Sequence, residues 1–101
     1  MDAQVTMNDT HAILRLAGRF DFKAHREFRD AVDSLLVQAG VRPLQVDLAE
    51  VSYLDSSALG MLLMLRDKAK AANKDVALVG VKGSVRQVLD IANFAKLFAI
   101  S

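Results

Sequence analysis

In the stretch YLDSSALGMLLML, Tyr53 to Leu65, an aspartate and two adjacent serines stand where an extended run gives way to a strongly apolar helical one. A serine at such a junction can serve two ends. Its hydroxyl can accept a hydrogen bond from an amide of the first turn, a cap whose loss typically costs about 1 kcal/mol. It can also take a phosphoryl group, because free amides and the helix dipole stabilise anionic charge at that point. One cap needs one side chain, yet here Ser56 and Ser57 both follow Asp55. Asp21 follows another extended run, and a parallel sheet would bring Asp21, Asp55 and Ser56 to one rim. Each aspartate is equally readable as a helix cap. At this level both readings of the serine pair stand open.

Other chemistries find no support. The chain has no cysteine, which excludes disulfides, thiol catalysis and thiolate metal sites. His11 and His25 have no companion ligand at metal-binding spacing, so both are read as structural or solvent-exposed and no metal site is expected. Gly80 and Gly83 in VGVKGSVR are the nearest approach to a phosphate-binding loop, but the spacing is wrong and they read as a strand-to-helix turn. No G-x-S-x-G elbow accompanies the serines, and the early chain lacks the tight acidic cluster of a phosphoaspartate receiver. The formal charge of +1 gives no field suited to direct contact with nucleic acid or an anionic membrane. Cations from Arg66 to Lys74 read as the wet side of a helix. No apolar run approaches the roughly 20 residues needed to cross a bilayer. The opening MDAQVTMNDTH has neither the basic segment nor the apolar core of an export signal, so a cytoplasmic protein is expected.

The elements that must position these residues follow from periodicity. With 101 residues, 52% of them hydrophobic and 25% charged, the chain suits one folded domain spanning 1–101. HAILRLAG reads as a strand with apolar side chains of both parities, hence covered in part on both sides, and broken by Gly18. Gln4 to Met7 supply a short partner strand through the turn formers Asn8 and Asp9. Ala24, Phe28, Ala31, Val32, Leu35 and Ala39 recur at helical spacing, with Asp21 as the cap before them and Gly40 ending the run. Leu44, Val46 and Leu48 then alternate as a strand, and Val51 continues it. A second helix runs from the serines to about Asn73, with Ala58, Met61, Leu62, Leu65, Ala69 and Ala72 on its inner face. KDVALVGV is a strand. GSVRQVLDIA is a helix in which Ser84 and Gln87 have capping-box spacing. KLFAIS adds a brief edge strand. Strands alternating with helices imply right-handed crossovers and an α/β fold.

The segments LRLAGRFDF, LQVDLAEVSYLDSSALGMLLMLRDKA and VALVGVKGSVRQVLDIANF, in that order, resemble the STAS domain of bacterial anti-sigma factor antagonists from about His11 to Phe98. The resemblance implies a small mixed β-sheet flanked by helices mainly on one side. It makes the serine directly after the aspartate, Ser56, the phosphoacceptor. Asp21 and Asp55 support that site, and Ser57 supports the backbone or cap. Ala58, Leu59, Gly60 and Leu63 open the helix that meets the partner, with Ala58 standing where a glycine is common. Gly60 costs roughly 1 kcal/mol inside a helix relative to alanine, so close approach by another element is expected there.

The resemblance also implies partners: an anti-sigma factor with serine kinase activity, which uses ATP on Ser56, and a PP2C-type phosphatase that reverses the modification. The unmodified chain would hold the anti-sigma factor and release sigma. Catalysis belongs to those partners, so the chain is expected to be a substrate and binding switch, not an enzyme, and to need no cofactor. A homodimer through the same apolar helix is compatible with this. GRFDF and His25 give it the look of the compact proteobacterial antagonists tied to biofilm, secretion or motility control. The chain ends at LFAIS, short of the final helix of many longer members, from which differences in edge protection and partner choice are expected. The alternative use of the same fold is a non-enzymatic subunit of an ABC-type lipid transporter or a stress-sensing scaffold.

Overall fold

The structure is a computed structural model describing Met1–Ser101. Its strands are β1 (Asp2–Met7), β2 (Ala12–Phe20), β3 (Leu44–Leu54), β4 (Val76–Val79) and β5 (Ala99–Ile100). Three α-helices connect them: α1 (His25–Ala39), α2 (Ser56–Ala71) and α3 (Gly83–Ile91). The strands lie side by side in chain order. β1 is antiparallel to β2, whereas β2, β3, β4 and β5 run parallel. The length of each connection explains the difference, since antiparallel neighbours need only a tight turn and parallel ones a crossover. That turn is built on Asn8, whose Oδ1 accepts from the amides of Thr10 at 2.8 Å and His11 at 2.7 Å.

One continuous core of 26 residues, all hydrophobic, fills the space between the sheet and the helices. Alternation puts Ala12, Leu14 and Leu16 of β2 and Leu44, Val46 and Leu48 of β3 into it. Phe28, Val32, Leu35 and Ala39 of α1 meet them from above, at the helical spacing expected. On the opposite sheet face Ile13 and Ala17 are half-buried and Arg15 is exposed, so the second side of this strand is covered only in part. There Arg15 Nε lies 3.7 Å from Asp47 Oδ2 across the register pair, an exposed contact of little energetic weight.

Three expectations need correction. Gly18 does not end β2: at φ +91° it absorbs an irregularity, and the strand runs on to Phe20 with register shifts on either side. The inward parity of β3 changes twice, from Leu48 to Val51 and again from Val51 to Leu54, so both of the later residues face the core. α2 stops at Ala71, with Ala72 exposed and Asn73 left-handed at φ 59°, so Ala72 lines nothing. Ser84 and Gln87 form no capping box. Lys82 occupies the cap position, and Gly83 at φ 58° starts the turn one residue earlier, leaving Ser84 exposed inside it. The closing strand does form, as β5 beside β4, after a short 3-10 turn at Phe94–Lys96. No helix is long and apolar enough to cross a membrane.

Beyond β4 the chain turns at Gly80, where two constraints coincide. The backbone sits at φ +68°, and a Cβ there would lie 2.8 Å from Asp47 Oδ1, 2.9 Å from Ala49 Cβ and 3.0 Å from the Ala49 amide nitrogen. Asp47 Oδ1 already accepts from that amide at 3.0 Å, so neither atom is free to move away. Gly80→Ala is therefore expected to lose about 2–3 kcal/mol of stability, read as a lowered urea midpoint with an unchanged m-value.

Candidate functional site

No polar or charged side chain is buried in this molecule. Chemistry must therefore take place at the surface, and the C-terminal ends of β2 and β3 are where the reactive residue types converge. The two strands are in parallel register there, with Arg19 opposite Tyr53 and Phe20 opposite Leu54. Phe20 and Leu54 point into the core, which anchors both ends. The next residue on each strand is an aspartate, and both aspartates do the same thing. Asp21, extended at φ −128° and ψ −171°, accepts from the Lys23 amide at 3.0 Å and caps a 3-10 turn at Phe22–Ala24. Asp55, extended at φ −122° and ψ −171°, accepts from the Ala58 amide at 3.2 Å and caps α2.

The cap of α2 is thus Asp55, and neither serine is needed for it. Ser56 and Ser57 are the first two residues of the helix and both are exposed. The support role expected for Ser57 as a cap is taken by the carboxylate instead, because the extended Asp55 reaches the third amide ahead while Ser57 is already helical. A phosphate on Ser56 would sit at the positive end of a 16-residue helix, next to amides that have no carbonyl partner within it. It would also sit one residue from the Asp55 carboxylate, on the rim that Asp21 shares.

The structure divides the expected partner face. Ala58 is fully buried against the sheet and offers no side chain to another protein, so its place among the partner-binding residues is a correction. Leu59 and Leu63 are half-buried and pack in part on that core, and Gly60 is exposed. Spacings of three, four and seven residues put Leu59, Gly60 and Leu63 on the same side of α2 as Ser56. No element of this chain approaches Gly60: a Cβ built there meets nothing within 4 Å.

Three neighbours were not singled out by sequence reasoning. Arg19 lies with its guanidinium carbon 4.2 Å from the centroid of the Tyr53 ring and its Nε 3.7 Å from Asp21 Oδ2. Phe22, directly after Asp21, leaves 66% of its surface in water. The available signal was the parallel pair of tripeptides RFD and YLD, each an apolar core residue followed by an aspartate. The three surface clefts are lined by other residues, and none includes Asp21, Asp55 or Ser56. No group of three His, Asp or Glu side chains is arranged to hold a metal. An open rim of this kind offers a macromolecule a docking surface but does not enclose a small substrate.

Comparison with known proteins agrees with this architecture. A family model described as "Mlab, STAS domain" matches residues 3–99. A STAS-domain containing protein of Pseudomonas aeruginosa (strain UCBPP-PA14) is 48% identical over 88 residues, covering 87% of this chain and 85% of that one. An anti-sigma-B factor antagonist of Listeria monocytogenes is 24% identical over 98 residues, 96% of this chain and 85% of its own. Among solved structures, the Bacillus cell fate determinant SpoIIAA in its phosphorylated form superposes with a TM-score of 0.71 at 20% identity, over 99% of this chain and 91% of that one. At that identity the likeness speaks for the fold.

The division of labour at the start of α2 is testable by stability alone. Asp55→Ala is expected to lose about 1 kcal/mol and Asp55→Asn much less, since asparagine caps as well. Ser56→Ala and Ser57→Ala should each stay within about 0.5 kcal/mol of the parent. Gly60→Ala, with open space at a helical position, should gain about 0.5–1 kcal/mol. Urea midpoints of the five variants check all of these, and a serine variant as damaging as Asp55→Ala would contradict the assignment.

Proposed function

This chain belongs to the STAS-domain family, and we propose that it acts as an anti-sigma factor antagonist, a cytoplasmic switch thrown by phosphorylation of Ser56. The observation that carries the reading is the Asp55 cap, which leaves the Ser56 hydroxyl exposed and unemployed at the N-terminus of α2. The Listeria relative is itself an anti-sigma-B factor antagonist, and the SpoIIAA structure is that of a phosphorylated form. Both support the proposal.

In this account the unmodified chain docks on an anti-sigma factor with serine kinase activity, through the side of α2 that carries Leu59, Gly60 and Leu63. The partner transfers the γ-phosphoryl group of ATP to Ser56 Oγ, takes up the hydroxyl proton and releases ADP. The added charge of about −1.5 to −2 lies beside Asp55, where repulsion and the cost of dehydrating a dianion oppose closure of the partner over the apolar residues behind it. The fold need not change. A PP2C-type phosphatase then restores the hydroxyl by hydrolysis. Asp21 and Asp55 organise the acceptor loop, and catalysis stays with the partners.

The test begins with incubation of the protein with its cognate serine kinases and ATP, followed by peptide mass spectrometry. Phosphate is expected on Ser56 and not on Ser57. Ser56→Ala should keep partner binding and lose modification, while Ser56→Asp should weaken binding in part, because one carboxylate carries less charge than phosphate. An unmodified Ser56 in native material, together with stable copurification with an ABC-transporter ATPase, would assign the chain to the transporter use of the fold and end this proposal.

A further inference from the structure

The two edges of the sheet are unlike. β5 is two residues long, and its brevity is itself a protection against stray pairing. β1 offers six residues, Asp2–Met7, with no proline, no lysine and no break in its register. Edge strands usually carry one of those devices, because a row of open amides and carbonyls is a template for another chain. The ladder fixes which groups are open. Asn8 N–H donates to His11 O and Ala12 N–H donates to Pro43 O, each at 3.0 Å, so the backbone of Ala12 turns toward β3. By alternation the bonded pairs between β1 and β2 are Thr6 with Ile13, Gln4 with Arg15 and Asp2 with Ala17. The amides and carbonyls of Ala3, Val5 and Met7 therefore point out of the sheet, and no other part of the chain meets them.

The side chains of the same three residues are half-buried on the helix side of the sheet. There an open groove lies between β1 and α1, with Ala3, Val5 and Ala31 as its apolar floor and Glu27, Asp30 and Ser34 on its helix wall. Glu27 and Asp30 are exposed, no lysine or arginine lines the groove, and neither carboxylate has an ion-pair partner. A strand laid antiparallel along β1 would place every second residue opposite Ala3, Val5 or Met7. Its backbone groups would turn inward at those positions, and its side chains would share their face, toward α1. A lysine or arginine there would rest its stem on the floor and bring its charge to Glu27 and Asp30. A second copy of β1 does not meet that description. Asp2 is its one charged residue, and pairing two copies would gather the carboxylates of both α1 helices along one seam.

We propose that the open edge of β1 and the acidic groove beside it form a strand-addition site for an extended basic segment of another protein, with lysine or arginine at alternate positions. All of β2 separates this edge from β3 and the Ser56 loop, so the inference stands independent of the reading of Ser56.

The full chain and a blocked synthetic peptide, Thr-Lys-Thr-Lys-Thr-Lys-Thr, test it at low ionic strength. Saturating peptide should slow amide hydrogen exchange at Ala3, Val5 and Met7 by roughly tenfold or more, as expected for newly paired groups. N-methylation of the peptide's lysines, whose amides would face β1, should weaken binding roughly tenfold or more. N-methylation of its threonines, whose amides would face away, should change binding by less than about threefold. Glu27→Lys combined with Asp30→Lys should weaken binding roughly tenfold, and Val5→Pro, which removes an outward N–H but no bond to β2, should abolish the protection. Circular dichroism checks that these variants keep the fold, and the methylated peptides test the pairing without any variant. Unchanged exchange at Ala3, Val5 and Met7 in the parent would overturn the site, as would equal binding of the two methylated peptides or of a peptide with glutamate in place of lysine. Self-association of the parent in sedimentation, abolished by Val5→Pro, would make the occupant a second copy and overturn it as well.

Discussion

The hydrogen bond between Asp55 and the Ala58 amide, 3.2 Å long, settles what the serine pair is free to do. A helix of 16 residues must begin somewhere, and its first amides need an acceptor. Had a serine filled that position, its hydroxyl would have been committed, and modification would have cost the helix its cap. With the carboxylate in place, Ser56 can change its charge while the fold keeps the bond that starts α2. Under the proposed function, separating the structural acceptor from the exposed hydroxyl would let a stable domain carry a reversible charge. It also explains why the site consists of short polar side chains on an otherwise apolar frame.

The frame places that junction through a few local devices. Parallel pairing of β2 and β3 lays Phe20 beside Leu54, and despite the register shifts around Gly18 both strand ends stay anchored in the core. Two aspartates then cap two helical segments side by side. Because every buried side chain is hydrophobic, the interior specifies shape and the rim alone carries polar function. Binding or modification on that rim, as proposed, would leave the core undisturbed.

Much of this was legible in the chain. Leu44, Val46 and Leu48 alternate because one sheet face is packed and the other is not, and the α1 stripe recurs because a single helix face is buried. Periodicity failed where one position admitted two explanations. Ala58 lies on an apolar turn that reads equally well as a partner face or a sheet-packing face, and only the tertiary seat of α2 distinguishes them. Ser84 and Gln87 have the spacing of a capping box, but Gly83 in a left-handed conformation moved the helix start, which no local pattern announces. Asp55 and the serines competed for one cap, and the extended backbone of Asp55 decided it. Arg19, Tyr53 and Phe22 escaped notice because strand register, not sequence neighbourhood, brings the RFD and YLD segments together.

The central claim is that charge at one exposed hydroxyl governs docking while the fold stays intact. Its most direct test is calorimetric titration of the purified anti-sigma partner against two preparations of this chain, one unmodified and one carrying stoichiometric phosphoserine at position 56, with circular dichroism recorded on both. The account predicts superimposable spectra and an affinity lower by roughly a hundredfold or more for the phosphorylated chain. Equal affinities, or a loss of affinity accompanied by loss of helix, would contradict it.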